Sequence, residues 1–252
     1  MFIQIHLITW VIALALFLSV QSANAAQVSP NLPIPTSRPT EIYKPNTEVK
    51  TPAKSNRDTA SSSPSTATNA CLAELQKISN SKSIIQPTPK DTECTIPNPV
   101  SILSIKLQNG QIALPADMLN DCKFALEFSR WLADVANPLA EQHLGSSIKK
   151  LNSGTGFTCR RRNNLPTGKL SEHAFGNAID IVGLTLSNGD RFLVNDPATM
   201  EPSYARFFSA LRKTACGYFT TVLGPGSNAA HATHLHLDLG IHGRTGNYRI
   251  CE

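Results

Sequence analysis

The sequence predicts an α+β fold, with helices flanking an antiparallel sheet, in one domain that covers residues 70–252. Helix patterns come early and strand patterns late, and the two do not alternate regularly, which argues against a doubly wound parallel sheet. All six cysteines lie in this stretch, so the sequence also predicts a domain that is stabilised by disulfides.

The first 26 residues have the pattern of a secretory signal peptide. An apolar run extends from Leu7 to Val20, and Ala23 and Ala25 then provide an AxA cleavage site. Neither Lys nor Arg precedes the run, so a membrane anchor that is not cleaved is the alternative. Both interpretations predict export, to the periplasm or out of the cell, and cleavage would leave no membrane span.

A disordered linker is predicted over residues 27–69. This stretch is rich in Pro, Ser and Thr and contains few large apolar side chains. It therefore cannot bury enough apolar surface to offset the entropy of ordering, and its prolines favour extended segments.

Two amphipathic helices are predicted in the domain. Apolar residues recur at three- and four-residue spacing over residues 120–137, with Asn120 or Asp121 as the N-cap, and over residues 202–215, with Gly217 just past the end. We expect both apolar stripes to pack in the core rather than to line a ligand site. The stripes consist of Phe124, Phe128, Trp131, Leu132, Val135, Tyr204, Phe207, Phe208 and Leu211.

Short strands are predicted late in the chain, over residues 178–184, 191–194, 219–223 and 234–239. The segment SNGD, residues 187–190, has the composition of a turn between the first two of them. The domain shows no internal repeat.

The six cysteines are dispersed and form no CxxC pair. In an exported protein this arrangement predicts three disulfides rather than a thiolate metal site. The sequence leaves the pairing open, although proximity along the chain favours Cys71 with Cys94.

The segment HATHLHLD, residues 231–238, contains three of the seven histidines of the chain. Imidazole is a common zinc ligand and the usual proton carrier near neutral pH. Because side chains alternate along a strand, His234, His236 and Asp238 would share one face while the intervening leucines face the core. The histidine face would then be either exposed to solvent or part of a metal site.

A second pattern, SEHAFGNAID, places His173 seven residues before Asp180. Asp180 is expected on a strand between two isoleucines that face the core, and a carboxylate buried there without a partner would cost free energy. A cation would be such a partner, whereas a surface position is the alternative. With one histidine of the 231–238 segment, His173 and Asp180 supply three nitrogen and oxygen ligands, as catalytic zinc sites do. Zinc is the predicted ion, although these donors also suit other divalent ions.

The SEHAFGNAID segment resembles the SxHxxGxAxD motif of the zinc D-Ala-D-Ala peptidases, whose superfamily includes the lysostaphin-type peptidases and the hedgehog signalling domain. The resemblance implies the zinc peptidase fold of that superfamily, with His173, Asp180 and His236 as the metal ligands. The shared positions are Ser171, His173, Gly176, Ala178 and Asp180.

The whole stretch 71–251 is similar to the extensin-like C-terminal domain family of exported bacterial proteins. The similarity is carried by segments such as CLAELQK, CTIPNPVSI, RWLADVANPLAEQHLGS and FTTVLGPGSNAAH. It implies the same peptidase-like fold, but it does not by itself supply an activity.

One position departs from the peptidase pattern. The D-Ala-D-Ala peptidases have a catalytic Glu three residues before the last ligand, where this chain has Thr233. The spacing HxxHxH instead resembles the penicillin-insensitive murein endopeptidases, in which the last His binds zinc and the two earlier ones serve the chemistry. The resemblance therefore assigns catalytic roles to His231 and His234.

Four further polar residues near these motifs are interpreted individually. Arg160, in TCRRRN, resembles the arginine of the SGYR motif that binds a substrate carboxylate, and the alternative is a solvated basic patch with the two arginines that follow it. Glu172 would point away from the ligands if its segment is extended. His143 and His242 are interpreted as ordinary surface residues.

These features predict an exported zinc-dependent peptidase or endopeptidase that hydrolyses peptide bonds in peptidoglycan. The main alternative is a non-catalytic, zinc-containing module of the same fold that binds the cell wall, because a fold does not determine a function. A carbohydrate-binding wall anchor with incidental histidines is a third possibility. The net charge of +5 is modest, and no basic run with interleaved aromatic residues indicates nucleic-acid binding.

Overall fold

The structure is a computed structural model, and it describes residues 66–86, 92–115, 118–154, 156–246 and 248–252. The signal peptide and residues 27–65 of the linker, both predicted from the sequence, lie outside the described residues. Among the residues described, no helix is long and apolar enough to cross a membrane.

The described chain has an α+β fold. A π-helical segment, Leu132–Ala136, connects two of its helices. The α-helices are α1 (Thr66–Ile78), α2 (Cys122–Trp131), α3 (Asn137–Leu144) and α4 (Pro202–Tyr218). The strands are β1 (Ser79–Ser83), β2 (Pro99–Leu107), β3 (Gly110–Ala113), β4 (Leu119–Asp121), β5 (Ile148–Ser153), β6 (Ala178–Leu186), β7 (Arg191–Leu193), β8 (Thr221–Leu223), β9 (Leu235–Asp238) and β10 (Ile250–Cys251).

The strands form one mixed sheet in the order β1-β2-β3-β5-β6-β9-β8-β10, with β4 paired to β2 and β7 paired to β6. Most pairs are antiparallel, as predicted, but β3 pairs with β5 and β8 pairs with β10 in parallel. The connection that contains α2 and α3 returns the chain to the sheet in the direction of β3, which makes β5 parallel to it. The prediction of an antiparallel sheet is therefore wrong for these two pairs.

The order of helices and strands also differs from the prediction, because β1 to β4 precede α2. β1 has the sequence SNSKS and lies at the edge of the sheet, so it lacks the apolar alternation that identifies a strand. The predicted late strands do form, and SNGD is a turn between β6 and β7.

Both predicted helices form but extend further than expected. Asp121 caps α2 by accepting a hydrogen bond from the backbone N–H of Lys123 at 3.0 Å. The helical path then continues through the π-helical segment and past Pro138 to Leu144, because proline is tolerated in the first turn of α3. The second helix, α4, ends at Tyr218, so Gly217 lies inside it rather than beyond its end.

The core lies between the helices and one face of the sheet. The predicted apolar stripes are in it, although Val135 and Tyr204 are only partly buried. On β6 and β9, alternate residues face this core, so the residues between them face the opposite side of the sheet. The core-facing residues on these two strands are Ile179, Ile181, Leu235 and Leu237.

Three disulfides join Cys71 to Cys122, Cys94 to Cys159 and Cys216 to Cys251. The predicted number is confirmed, but the favoured pairing of Cys71 with Cys94 is wrong. Packing of α1 on α2 brings Cys71 beside Cys122, with a Cα–Cα distance of 6.3 Å, which is within the range that a disulfide requires.

Candidate metal centre

The centre of the candidate site is formed by one antiparallel strand pair. β6 and β9 align so that Asp180 lies directly opposite His236. Directly opposed residues of two antiparallel strands project from the same face of the sheet. Because Ile179, Ile181 and Leu237 are buried in the core, the carboxylate and the imidazole project together from the other face.

His173 reaches these two side chains from the turn that precedes β6. The turn is a 3₁₀ segment, Glu172–Phe175, and its N-cap Ser171 accepts a hydrogen bond from the backbone N–H of His173 at 3.4 Å. Gly176 ends the turn with φ of 63°, and a Cβ at this position would lie 2.8 Å from the backbone N of Asp121. The Ser and Gly of the motif thus shape the turn that places His173 over the sheet.

Three ligand atoms meet at this point. Nδ1 of His236 lies 2.8 Å from Oδ1 of Asp180. Nε2 of His173 lies 3.3 Å from the same carboxylate oxygen and 3.3 Å from Nδ1 of His236. The structure therefore brings together the three residues that the sequence predicts as metal ligands.

Hydrogen bonds on the far side of each ring determine which nitrogen faces the centre. Nδ1 of the buried His173 lies 2.7 Å from the carbonyl oxygen of Gly156, which can only accept, so Nδ1 carries the proton and Nε2 presents its lone pair. Nε2 of His236 lies 2.9 Å from Oδ2 of Asp238 and donates to it. His236 therefore presents Nδ1 to the centre.

His236 is held between two carboxylates. Burial tends to lower the pKa of His236, but hydrogen bonds to Asp180 and Asp238 outweigh burial and raise the pKa to about 9. Burial tends to raise the pKa of Asp180, but the imidazoles of His173 and His236 beside it hold this pKa well below its usual range. At neutral pH the ring is thus a cation that donates Nδ1–H to Asp180.

The geometry of the three ligand atoms fits a small tetrahedral ion. Nitrogen and oxygen ligands bound to zinc at about 2.0–2.2 Å in a tetrahedron lie about 3.3–3.6 Å from one another. Two of the observed separations, both 3.3 Å, agree with this range, and the third, 2.8 Å between His236 and Asp180, is shorter. Two imidazoles and one carboxylate are also a donor set that zinc accepts, with a fourth position open.

His231 lies beside this group; its Nδ1 is held by a hydrogen bond, and its Nε2 has no hydrogen-bond partner among the described residues. It ends the 3₁₀ turn Ala229–His231, and its Nδ1 lies 2.7 Å from Oδ1 of Asn228. The same oxygen accepts from the backbone N–H of Ala230 at 3.0 Å, so Nδ1 of His231 donates and Nε2 keeps its lone pair. Burial, together with the neighbouring His236, lowers the pKa of His231 to about 4.

His234 lies just before β9 rather than on it, because the strand begins at Leu235. Its Nε2 is 3.5 Å from Oδ1 of Asp180, which is too long for a hydrogen bond but places the ring at the edge of the ligand group. Burial lowers the pKa of His234, so the ring is mainly neutral near pH 7. The ring centroids of His231 and His234 are 5.1 Å apart.

An open pocket of about 230 Å³ lies over these side chains. Arg160 lines it, and Nη2 of its guanidinium is 3.7 Å from Oδ2 of Asp180. Arg162 also lines the pocket and pairs with Glu172 at 3.7 Å, whereas Arg161 is not part of the lining and pairs with Glu93 at 3.6 Å. Each of the three arginines thus lies beside a different carboxylate.

Two interpretations of pocket residues are corrected by the structure. His242, interpreted as a surface residue, has only 12% of its side chain exposed, and its Nε2 lies 2.6 Å from Oγ1 of Thr221. Glu172 is in a 3₁₀ turn rather than an extended segment, and its carboxylate lines the pocket. Neither side chain could be located from spacing, because each reaches the pocket from a turn or loop.

His143 is half-buried in α3 and is not among the residues that line the pocket.

Asp238 and Asn228 were not assigned a role from the sequence. The alternation that places His236 on the polar face of β9 places Asp238 there too, so a signal for Asp238 was present. The role of Asn228 depends on the turn that folds it back onto His231, and no spacing rule identifies that contact.

Comparison with known proteins gives one match. A family model described as extensin-like protein C-terminus matches residues 69–252. No curated protein and no solved structure matches the chain. The match covers all the residues that line the pocket.

Proposed function

The chain belongs to the extensin-like protein C-terminus family, and from the geometry of its site we propose that it is an exported zinc-dependent peptidase or endopeptidase that acts on the stem peptides of peptidoglycan. The observation that carries this proposal is the triangle of ligand atoms from His173, Asp180 and His236, with sides of 2.8–3.3 Å. The proposal includes the fold of the zinc D-Ala-D-Ala peptidase and hedgehog superfamily, which the strand pairing around these ligands supports.

Zinc would be held by Nε2 of His173, Oδ1 of Asp180 and Nδ1 of His236. When bound, it would supply Lewis acidity toward the scissile carbonyl and lower the pKa of a water to about 7. The second hydrogen bonds of the two rings, to Gly156 and Asp238, direct these nitrogens inward.

His231 is the proposed proton carrier. Its Nε2 lone pair is free because Asn228 holds the proton on Nδ1, and its low pKa keeps the ring neutral at the working pH. A neutral imidazole can take a proton from the attacking water and pass it to the leaving amine. With this assignment, the tautomer of His231 that Asn228 fixes has a direct function in proton transfer.

His234 is the proposed donor to the oxyanion. Its Nε2 faces the negatively charged Oδ1 of Asp180, which favours a proton on that nitrogen. An N–H at the edge of the ligand group can hydrogen-bond the negative charge that develops on the carbonyl oxygen. The two histidines thus divide proton transfer and charge stabilisation between them.

Arg160 is the proposed binding group for a substrate carboxylate. Its only ion pair within the described residues, to Asp180, is long at 3.7 Å, so donors of the guanidinium remain available to the pocket. Stem peptides carry free carboxylates, and a guanidinium binds a carboxylate through two parallel hydrogen bonds.

Three disulfides are consistent with an extracellular or periplasmic location, where disulfides form and persist. A cell-wall substrate would be present there. We therefore propose that the protein acts in the cell envelope after removal of its signal peptide.

A non-catalytic, zinc-containing module that binds the cell wall is the second candidate. It is favoured by Thr233, which occupies the position of the catalytic Glu of the D-Ala-D-Ala peptidases and is exposed. It does not explain why the tautomer of His231 is fixed by Asn228.

The test is incubation of the disulfide-intact protein with purified peptidoglycan and with muropeptides of defined cross-link. We expect zinc-dependent release of soluble fragments that a chelator abolishes and added zinc restores. Binding to the cell wall without any cleavage would support the non-catalytic module instead.

A further inference from the structure

Asp238 is a buried carboxylate, 5% exposed, and it contacts several groups besides the ring of His236. It lies two residues after His236 on the same face of β9. Both of its oxygens are engaged: Oδ2 accepts from Nε2 of His236 at 2.9 Å, and Oδ1 accepts from the backbone N–H of Gly240 at 2.8 Å. The carboxylate therefore bridges the ring of a ligand and the loop that follows β9.

The bridge depends on close approach of that loop. A Cβ built on Gly240 would lie 3.1 Å from Oδ1 of Asp238 and 3.0 Å from Oε1 of Glu172. A side chain at position 240 would therefore press on both carboxylates. The absence of a side chain allows the backbone N–H to reach Asp238.

Two further side chains lie beside Asp238. Thr221, on β8, is directly opposite Asp238 in the pairing of β8 with β9. Oγ1 of Thr221 lies 2.6 Å from Nε2 of His242, and the same nitrogen is 4.0 Å from Oδ1 of Asp238. Thr221 and His242 therefore pack beside the carboxylate, while His236 donates to its Oδ2.

We propose that Asp238 is the positioning residue of the metal centre: it holds the proton of His236 on Nε2 and so directs Nδ1 toward His173 and Asp180, while Thr221 and His242 hold Asp238 in place. The inference rests on the proposed function only in taking the three ligands to bind an ion. A carboxylate is required, because His236 and Gly240 donate to its two different oxygens, and an amide would present its own NH₂ donor to one of them.

The alternative is a purely structural role, in which Asp238 only ties the end of β9 to β8 and to the following loop. Loss of such a tie would lower the free energy of unfolding without changing which nitrogen of His236 binds the ion. The two roles therefore predict different NMR signals from the ring nitrogens of His236.

The test compares the full exported protein with its Asp238→Asn variant, and Asp190→Asn serves as control because Asp190 accepts from Asn188 in an exposed turn away from the pocket. Zinc affinity is measured by competition with a chromophoric chelator, and the ring nitrogens of the zinc-loaded protein are assigned by ¹⁵N NMR. We expect Asp238→Asn to weaken zinc binding about 10- to 100-fold and to alter the Nε2–H signal of His236, with no change in Asp190→Asn.

Thr221→Val provides the same test if Asp238→Asn does not fold. It keeps Asp238 and His236 but removes the hydroxyl on β8 that contacts His242 beside Asp238, and we expect weaker zinc binding by a smaller factor with an altered Nε2–H signal. Unchanged affinity and an unchanged ring signal in a folded variant would overturn the role of Asp238 while leaving the proposed hydrolase intact. Absence of zinc binding by the unmodified protein would overturn both proposals, and neither result depends on measuring hydrolysis.

Discussion

Oδ1 of Asp180 lies 2.8 Å from Nδ1 of His236, although the two residues are 56 positions apart in the chain. The contact follows from the register of β6 and β9, which places the two residues directly opposite each other. A slip of one residue on β9 would put Leu235 or Leu237 in that place and turn His236 into the core. The hydrophobic pattern of β9 thus fixes the ligand geometry.

The pKa of His236 predicts that zinc affinity depends on pH. Below its pKa of about 9, His236 carries a proton on Nδ1 that zinc must displace. Apparent affinity should therefore rise about tenfold per pH unit between about pH 7 and pH 8.5, with release of one proton from this ring. Calorimetry in two buffers of different ionisation enthalpy measures the protons released. An affinity that stays constant over this range would show that His236 is already unprotonated or does not bind the ion.

Replacing His231 by Ala should lower turnover about 10²- to 10⁴-fold, because general acid–base catalysis contributes that much. The same range is expected for His234→Ala, because one oxyanion donor contributes about 10²- to 10³-fold. Zinc content should not change in either variant, since neither ring is among the three ligands. Muropeptide release and metal analysis check the two statements together. Unchanged rates in both variants would contradict the assigned roles.

Asn228 offers a finer test of the same mechanism. Asn228→Asp keeps an acceptor for Nδ1–H of His231 but adds a negative charge, which should raise the pKa of His231 from its value of about 4. The acidic limb of the pH–rate profile should then move to higher pH. Asn228→Ala should instead lower the rate without that displacement, because it removes the acceptor and adds no charge. If the acidic limb of the pH–rate profile is the same in the unmodified protein and in Asn228→Asp, His231 is not the group that titrates there.

Gly176→Ala should destabilise the domain more than Gly145→Ala. Both glycines have similar positive φ values, 63° and 68°, but only at Gly176 would a Cβ meet a neighbour, the backbone N of Asp121 at 2.8 Å. Each substitution costs about 1–3 kcal/mol for the backbone conformation, and Gly176→Ala adds displacement of the turn that carries His173. Urea unfolding gives the free energy of unfolding of each variant, and zinc titration shows whether displacement of His173 weakens zinc binding. Equal costs and equal zinc affinity would mean that the turn accommodates the methyl group.

Arg160→Gln should raise KM about tenfold or more for a substrate with a free carboxylate, because a hydrogen bond to a charged group contributes about 1.5–3 kcal/mol. Arg161→Gln is the matched control, since Arg161 donates to the carbonyl of Gly168 and pairs with Glu93 instead. The amidated form of the same substrate should show little difference between the two variants. Equal KM values for Arg160→Gln and Arg161→Gln would show that Arg160 does not bind the substrate carboxylate.

The parts of the site that could be predicted from the sequence are those set by strand periodicity. Alternation along β6 and β9 determines that Asp180 and His236 leave the core where their neighbours Ile179, Ile181 and Leu237 enter it. The aromatic stripes of α2 and α4 were predictable for a similar reason, because a helix has a fixed period of its own.

The parts that could not be predicted depend on contacts between elements. His242 lies beside Asp238 and contacts Thr221, which belongs to another strand, and no local pattern records that contact. β1 is polar and lies at an edge, so it resembles a loop in sequence. The parallel pairing of β8 with β10 similarly depends on where the chain returns to the sheet.

The central claim is that His173, Asp180 and His236 hold one zinc ion, and equilibrium dialysis against zinc followed by metal analysis tests it most directly. We expect one tightly bound zinc per chain in the exported protein and a loss of tight binding in Asp180→Asn, with Asp190→Asn unaffected. Zinc bound equally by the protein and by Asp180→Asn, or not bound by either, would contradict the claim.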